Sequence, residues 1–240
     1  MTLLSVNVNK IALLRNSRGH DFPNVLKVSQ EIVALGAHGI TIHPRPDERH
    51  IKYSDAYELK KNLSVELNIE GYPSESFLDM VCEVKPAQCT LVPDPPEALT
   101  SNAGWDCKNN LQYLQKVIAK LKSAGVRTSI FLNPDLEQVP YALDTGTDRI
   151  ELYTEGYASA FGTDDQESAF ALYKNTAEAA TACGLGVNAG HDLNQENLGY
   201  FAKGIPSLLE VSIGHALIVE MLYQGMGTTI TNYIKILKEG

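Results

Sequence analysis

The sequence predicts an α/β fold, a (β/α)8 TIM barrel with one or more extra helices, formed by a single domain over residues 1–240. Short runs rich in Val, Ile, Leu and Thr alternate with amphipathic patterns along the chain, which is typical of buried parallel strands covered by helices. Eight such units in 240 residues average about 30 residues each, the usual size of a βαβ unit. No linker or low-complexity segment interrupts this alternation, so we expect one domain.

The order of the predicted strands favours a closed barrel over an open, doubly wound sheet, because no point of strand-order reversal is evident. No G-x-G-x-x-G motif follows the first strand, which argues against dinucleotide binding. The predicted strands are Leu3–Val8, Gly39–His43, Ser64–Glu70, Gln88–Val92, Arg127–Leu132, Arg149–Tyr153, Gly186–Ala189 and Leu209–Ile213.

The segments between the strands carry helical signals. Asn24–Leu35 and Asn110–Ala124 place apolar residues at helical spacing, and Gln166–Cys183 is rich in Ala. Two longer segments, Pro93–Cys107 and Thr154–Gln166, follow strands 4 and 6 and should lie on the catalytic face of a barrel. Each is either a lid over the site or a passive surface loop.

Composition excludes several classes of partner and cofactor. Lys and Arg number 20 against 29 Asp and Glu, a net charge of −9 that argues against nucleic acid but not against small anionic substrates. The four cysteines show no C-x-x-C pair and no zinc spacing, so we expect reduced thiols and no metal. A polar N-terminus without a long apolar run predicts a cytoplasmic, soluble protein with no membrane partner.

Polar residues gather where the predicted strands end, and these are the positions that carry the chemistry of a (β/α)8 barrel. Four of the six histidines fall in these segments, more than a barrel built only for stability would need. The candidates are Asn7, Asn9 and Lys10 with the nearby Arg18; His43, Arg45 and His50; Glu70; Glu151; His191 and Asp192; and Gly214 and His215.

Two groups of these residues suit phosphate. Arg18, Arg45, Arg49 and His50 offer forked or neutral donors to phosphate oxygens. The sequences NAGHDL and SIGHAL follow strands 7 and 8, where barrels usually bind phosphate through backbone N–H groups and a helix N-terminus. Two anion sites indicate two phosphorylated substrates or one bisphosphate.

Three residues are candidates for proton transfer. Glu70 closes the apolar strand SVELNIE, and partial burial there should raise its pKa towards the range of a general base. His43 and His191 should need little tuning to exchange protons near neutral pH. Glu66 shares a strand face with Glu70, so it is a candidate for an interior polar group of the barrel.

Taken together, seven segments resemble the pyridoxine 5′-phosphate synthase family, in order and with matching spacing over nearly the whole chain. They are SVNVNKIALLRNSRG, GITIHPRPDERHI, LNIE, LVP…LTSNAGWD, RIELYTEGYA, VNAGHDL and SIGHALI. The resemblance implies a (β/α)8 barrel that assembles as a homo-octamer. It also implies an enzyme that joins 1-deoxy-D-xylulose 5-phosphate to 3-amino-2-oxopropyl phosphate, releasing pyridoxine 5′-phosphate, inorganic phosphate and water without a cofactor.

The resemblance also implies roles for individual residues. His43 and Glu70 match the proton acceptors of the family, and His191 matches its proton donor. Residues matching contacts to the deoxyxylulose phosphate are Arg45, His50 and Thr100; those matching contacts to the aminoketone phosphate are Asn7, Arg18, Gly214 and His215. Glu151 matches a polar position of the active site.

The chain departs from the family pattern at two places. Asn9-Lys10 replaces the usual Asp-His, although Lys10 can still serve an anion as a cation. Asp192 replaces the usual Gly, and its carboxylate would repel a bound phosphate unless it is turned away.

Other functions fit parts of the same pattern. Another phosphosugar-binding barrel enzyme, an epimerase or an aldolase, is the main alternative, but the arginines around His43 disfavour a metal cation and only Lys10 could be an aldolase lysine. A non-catalytic barrel that binds phosphorylated ligands would need the anion sites and not the paired bases.

Overall fold

A computed structural model describes residues 1–94 and 103–239 of the chain. Eight parallel strands close into a barrel in sequence order, with β8 paired to β1, which confirms the predicted fold class. The strands are β1 (Leu3–Asn7), β2 (Gly39–Ile42), β3 (Glu66–Gly71), β4 (Gln88–Leu91), β5 (Arg127–Leu132), β6 (Arg149–Tyr153), β7 (Gly186–His191) and β8 (Leu208–Ile213).

Helices cover the outside of the barrel. Two of them follow β8, which agrees with the prediction of one or more helices beyond the eight of the barrel. Within the described residues the α-helices are α1 (Asn9–Asn16), α2 (Val25–Ala34), α3 (Tyr53–Asn62), α4 (Glu75–Val84), α5 (Leu111–Ser123), α6 (Val139–Asp144), α7 (Glu155–Ala160), α8 (Gln166–Ala182), α9 (Leu198–Gly204), α10 (His215–Gln224) and α11 (Met226–Glu239). A short 3₁₀ helix, Leu136–Gln138, precedes α6. None of the described helices is both long and apolar enough to cross a membrane.

Local sequence explains where several helices begin and end. The Asn24 side chain caps α2 by accepting a hydrogen bond from the Lys27 N–H at 2.7 Å. Gly36, Gly125 and Gly184 follow α2, α5 and α8 with φ values of 108°, 81° and 88°, a conformation that other residues adopt at a cost. The long predicted loop 154–166 contains α7, which is too short to show a helical period.

The interior of the barrel is polar, unlike the Val, Ile and Leu layers that usually fill such barrels. Ser5 and Thr41 hydroxyls lie 2.7 Å apart, Asn68 Nδ2 donates to Thr41 Oγ1 at 3.4 Å, and Thr90 Oγ1 donates to Asn68 Oδ1 at 3.1 Å. All four side chains are buried, and the hydrogen bonds between them offset much of the cost of removing them from water. The apolar core therefore lies mainly between the strands and the surrounding helices.

The N-terminal end of the barrel contains charged side chains. Arg127 forms an ion pair with Glu66, and its Nε donates to Gln88 Oε1 at 3.0 Å. Arg149 Nη1 donates to Asn188 Oδ1 at 3.3 Å. Glu66 is thus paired at the end of the barrel opposite the C-terminal strand ends, and it is exposed there, outside the polar interior for which it was a candidate.

Candidate active site

The fold brings the three predicted proton-transfer residues to one mouth of the barrel. His43 directly follows β2, Glu70 is the fifth residue of β3, and His191 is the last residue of β7. Their mutual electrostatic influence shows their proximity, since the charge of His191 acts on the pKa of both Glu70 and His43. The site is therefore a cluster of an acid and two imidazoles on a common rim.

Glu70 sits among polar side chains from neighbouring strands. Its Oε2 accepts from Asn7 Nδ2 and its Oε1 from Ser212 Oγ, both at 3.5 Å. Burial raises its pKa to about 7, while the positive charge of His191 and the hydrogen bond from Ser212 oppose this rise. The predicted direction is confirmed, and Glu70 can both accept and return a proton near neutral pH.

Glu151 lies deeper in the barrel, on β6. Its Oε2 is 3.3 Å from Thr90 Oγ1, and it is almost completely buried. Burial and the nearby charge of Glu70 raise its pKa well above the ordinary value. Burial therefore favours the protonated form of Glu151, which can donate a hydrogen bond.

The expectation that His43 needs little tuning is wrong. Burial, followed by the positive charges of Arg45, His50 and Arg49, lowers its pKa to about 3. The sequence places these residues within seven positions of His43 but does not show that the loop folds back and buries the ring. In the absence of a bound anion His43 is a neutral imidazole at physiological pH.

The loop after β2 forms a compact cluster of donors beside His43. The His43 and His50 rings lie 6.4 Å apart in an edge-to-face arrangement. His50 Nδ1 accepts from the Ile51 N–H at 2.9 Å, so the neutral ring carries its proton on Nε2 and can donate it to an anion. Burial, then Arg45 and Arg49, lower the pKa of His50 to about 4. Arg45 is itself buried.

Asn9 and Lys10, which replace the Asp-His pair of the family pattern, have different roles. Asn9 Oδ1 accepts from the His43 N–H at 2.9 Å, and the Asn9 N–H donates to Asn7 Oδ1 at 3.0 Å. The Asn9 side chain thus holds the loop that carries His43. Lys10 is exposed, and its positive charge contributes to lowering the pKa of His50.

His191 occupies a constrained position at the end of β7. Its φ of 89° lies in the left-handed region, which is uncommon for a residue with a side chain. Its Nδ1 is 2.7 Å from Asp192 Oδ2, and the Tyr153 ring packs edge-to-face at 5.4 Å between centroids. The Asp192 carboxylate is therefore turned towards the imidazole.

The loop after β8 approaches Asn7 closely. Gly214 precedes the first residue of α10, His215, so the backbone N–H groups of the first turn of that helix are available to an anion. A Cβ atom on Gly214 would lie 3.1 Å from Asn7 Cβ, which explains the preference for glycine. Asn7, Gly214 and His215 thus lie together at the C-terminal ends of β1 and β8.

Arg18 does not join this cluster. Arg18 is exposed beyond the C-terminus of α1, and the length of that helix, about 12 Å, separates it from Asn7. Its place beside Asn7 was implied by the resemblance, and the chain by itself does not bring the two residues together. Thr100 lies outside the described residues.

Asp94 is a member of the site that the sequence reasoning missed. It is 5% exposed, and its Oδ2 has no hydrogen-bond partner among the described residues. Its charge acts on the pKa of Arg45, Glu70 and His191. Asp94 comes three residues after the end of β4, so the same strand-end rule could have found it.

The described residues contain no group of three or more His, Cys, Asp or Glu side chains arranged to hold a metal ion.

Solved structures with the same fold include phosphoribosylanthranilate isomerase from Thermotoga maritima, with a TM-score of 0.63 and 15% identity over 99% of each chain. A mutant tryptophan synthase α-subunit from Pyrococcus furiosus matches with a TM-score of 0.64 and 14% identity, over 98% of this chain and 97% of that one. At these identities the likeness supports the barrel fold alone.

Sequence comparison is more specific. The pyridoxine 5′-phosphate synthase of Parabacteroides distasonis is 57% identical over 233 residues, which cover 97% of this chain and 98% of the relative. The enzyme of the same name from Bacteroides thetaiotaomicron is 55% identical over 238 residues, covering 99% and 100%. The family model described as pyridoxal phosphate biosynthesis protein PdxJ matches residues 4–239. The chain therefore belongs to the PdxJ family of pyridoxine 5′-phosphate synthases.

Proposed function

We propose that this pyridoxine 5′-phosphate synthase joins 1-deoxy-D-xylulose 5-phosphate to 3-amino-2-oxopropyl phosphate with His43, Glu70 and His191 as its proton-transfer groups. The observation that carries the proposal is a carboxyl with a pKa of about 7 beside an imidazole whose pKa is raised, on one rim. Such a pair can accept and donate protons at the same pH.

The sugar phosphate binds at the loop after β2. Arg45 supplies a guanidinium, and neutral His50 supplies the Nε2–H group. Lys10 adds a cation near the same loop, and Thr100 is assigned here from the family pattern alone. A phosphate dianion in this position offsets the arginine charges, so it raises the pKa of His43 and makes that ring a better proton acceptor.

The aminoketone phosphate binds between β1 and β8, at Asn7, Gly214 and the N-terminus of α10 at His215. Arg18 lies away from this phosphate position within one chain, so it is not assigned a contact to the phosphate in the single subunit. The Asp192 carboxylate points to His191, so its negative charge is not directed at the bound phosphate.

The reaction begins when the substrate amine attacks the ketone of the sugar phosphate, and loss of water gives an imine. No lysine of the enzyme is required as nucleophile. Glu70 and His43 then accept protons from carbon and oxygen, while His191 donates one to a departing oxygen as water and inorganic phosphate leave, and one water adds to the double bond that loss of phosphate creates. An internal aldol-type closure and a further dehydration give the aromatic ring, so two waters are released in all. Each placed proton transfer contributes about 10²–10⁴-fold to the rate.

Glu151 acts from below as a neutral donor. Because burial favours its protonated form, it can donate a hydrogen bond to an oxygen of the substrate or to Thr90 without adding negative charge near Glu70. Its position on β6, inside the barrel, supports this role as a hydrogen-bond donor.

The chain works as a single-domain, cytoplasmic homo-octamer. One contiguous apolar core supports the single domain, and all four cysteines are free thiols, as in a reducing compartment. Phe22, Leu222 and Tyr223 expose 82%, 74% and 86% of their surface, which suits contact between subunits.

The test is to mix the purified protein with both substrates and follow pyridoxine 5′-phosphate by absorbance. Glu70→Gln and His191→Gln should each reduce kcat by 10²-fold or more, about the contribution of one placed proton transfer. Glu31→Gln is a matched control, because that carboxylate is exposed on α2. A chelator and borohydride distinguish a metal-dependent epimerase and a Schiff-base aldolase. Full activity of Glu70→Gln and His191→Gln would refute the proposed roles.

A further inference from the structure

The carboxylate of Asp192 is bound to the imidazole next to it in the chain. Asp192 Oδ2 and His191 Nδ1 are 2.7 Å apart, and the side chains are 33% and 32% exposed. Consecutive residues at a strand end usually point in opposite directions. The φ of 89° at His191 breaks that alternation, which allows the two side chains to meet.

Neighbouring elements hold this backbone conformation on both sides of His191. Thr154 Oγ1 donates to the Gly190 carbonyl at 2.7 Å and accepts from the Asp192 N–H at 3.2 Å. Asn197 Nδ2 donates to the Asp192 carbonyl at 3.3 Å. An uncommon backbone conformation that several hydrogen bonds maintain at a site indicates a functional constraint.

We propose that Asp192 is a positioning residue that fixes the ring orientation of His191 and keeps the ring protonated. The inference rests on the proposed function in one respect, that His191 transfers a proton in the reaction. A carboxylate on Nδ1 retains the hydrogen on that nitrogen, so Nε2 is the atom directed at the substrate in both protonation states. The protonated ring then presents its Nε2–H as the donor.

The electrostatics of the mouth agree with this geometry. Burial is the largest single influence and lowers the pKa of His191, but the hydrogen bond and charge of Asp192, with smaller contributions from other carboxylates, outweigh it, and the net pKa is raised. Glu70 from β3 and Asp94 after β4 add to the rise. His43 after β2 opposes it only when protonated, and Tyr153 from β6 packs against the ring. Asp192 is therefore the main group that keeps His191 charged.

The test compares Asp192→Asn, which keeps the shape and removes the charge, with Asp192→Glu, which keeps the charge. Asp144→Asn is the matched control, because Asp144 is exposed at the end of α6, near the N-terminal end of the barrel. The imidazole of His191 is titrated by NMR in the whole protein, with its signal assigned from the spectrum of His191→Gln. Thermal unfolding confirms that each variant is folded.

We expect Asp192→Asn to lower the pKa of His191 by about one unit or more, the effect of removing an adjacent opposite charge. The alkaline limb of kcat should move to lower pH by the same amount, so kcat above that limb falls about tenfold per unit. KM for both substrates should change less than about twofold, because Asp192 makes no contribution to phosphate binding. Asp192→Glu should restore part of the pKa and of kcat.

An unchanged titration of His191 in folded Asp192→Asn would overturn the inference. A rise in KM with kcat unchanged would overturn it too, since Asp192 would then bind substrate. A shifted titration with an unmoved pH profile of kcat would uphold the link between Asp192 and His191. That result would refute the proton-donor role of His191, so failure of the proposed function is recognised separately.

Discussion

Replacing Glu70 with glutamine should stabilise the folded protein above neutral pH while removing activity. The pKa of this carboxyl is raised from 4.5 to about 7 by burial. Between these values the unfolded chain releases a proton that the folded chain retains, so the free energy of unfolding of the native protein falls as the pH rises. Glutamine has nearly the same shape and no charge, and it removes this pH dependence.

The magnitude follows from the shift. A rise of about 2.5 units corresponds to about 3 kcal/mol at 1.36 kcal/mol per unit. Glu70 is not fully shielded from solvent, which screens part of this effect, so we expect about 1–2 kcal/mol. The gain should be absent below pH 4.5 and complete above pH 7.

Urea unfolding at pH 4.5 and pH 8 measures this difference directly, and the same preparations are assayed for pyridoxine 5′-phosphate formation. Glu31→Gln serves again as the control and should show no pH-dependent gain. A stability difference between Glu70→Gln and the native protein that is equal at both pH values would show that Glu70 ionises normally, and the general-base argument would fail with it.

Three further perturbations test neighbouring parts of the site. Asp94→Asn removes a negative charge that contributes to the high pKa of Glu70, so the acid limb of kcat should move to lower pH; a pH profile at saturating substrate measures it, and an unmoved limb would contradict the assignment. Gly190→Ala places a Cβ 2.8 Å from Glu151 Oε1 and 2.5 Å from a β8 carbonyl oxygen, so unfolding in urea should show a loss of about 1–3 kcal/mol. Stability like that of the native protein would mean that the strands separate at little cost. Arg45→Lys loses a forked donor, so KM for the sugar phosphate should rise about tenfold or more, and steady-state kinetics with an unchanged KM would exclude a phosphate contact.

Strand positions could be predicted well because buried parallel strands are continuous apolar runs with polar breaks. β5 and β6 have the predicted bounds, and every other strand differs by no more than two residues at either end. β7 extends to His191 because Gly190 and His191 pair with β8, although neither residue favours a strand. Pairing between strands is a tertiary property and leaves no local signal there.

The site could be predicted as a set of residues but not as a set of protonation states. Strand-end rules found Glu70 and His191, because the position of a residue along a barrel strand determines which mouth it lines. They could not show that His43 is buried beside Arg45, which lowers its pKa to about 3 and keeps the ring neutral at neutral pH. A pKa depends on distances and burial that arise only when separate loops pack together.

The polar barrel interior links these properties. Thr90 joins Asn68 on one side and Glu151 on the other, so the buried hydrogen bonds reach the carboxyl beneath the mouth. Hydrophobic layers would make a more stable barrel, since a buried ionisable group costs free energy unless it is neutral or paired. Burial favours the neutral form of Glu151, which lowers that cost, and the nearby charge of Glu70 favours the neutral form further. Burial in the same mouth, with the charges of Glu210 and Asp94 adding to it, brings the pKa of Glu70 to about 7, where a carboxyl can move protons near neutral pH.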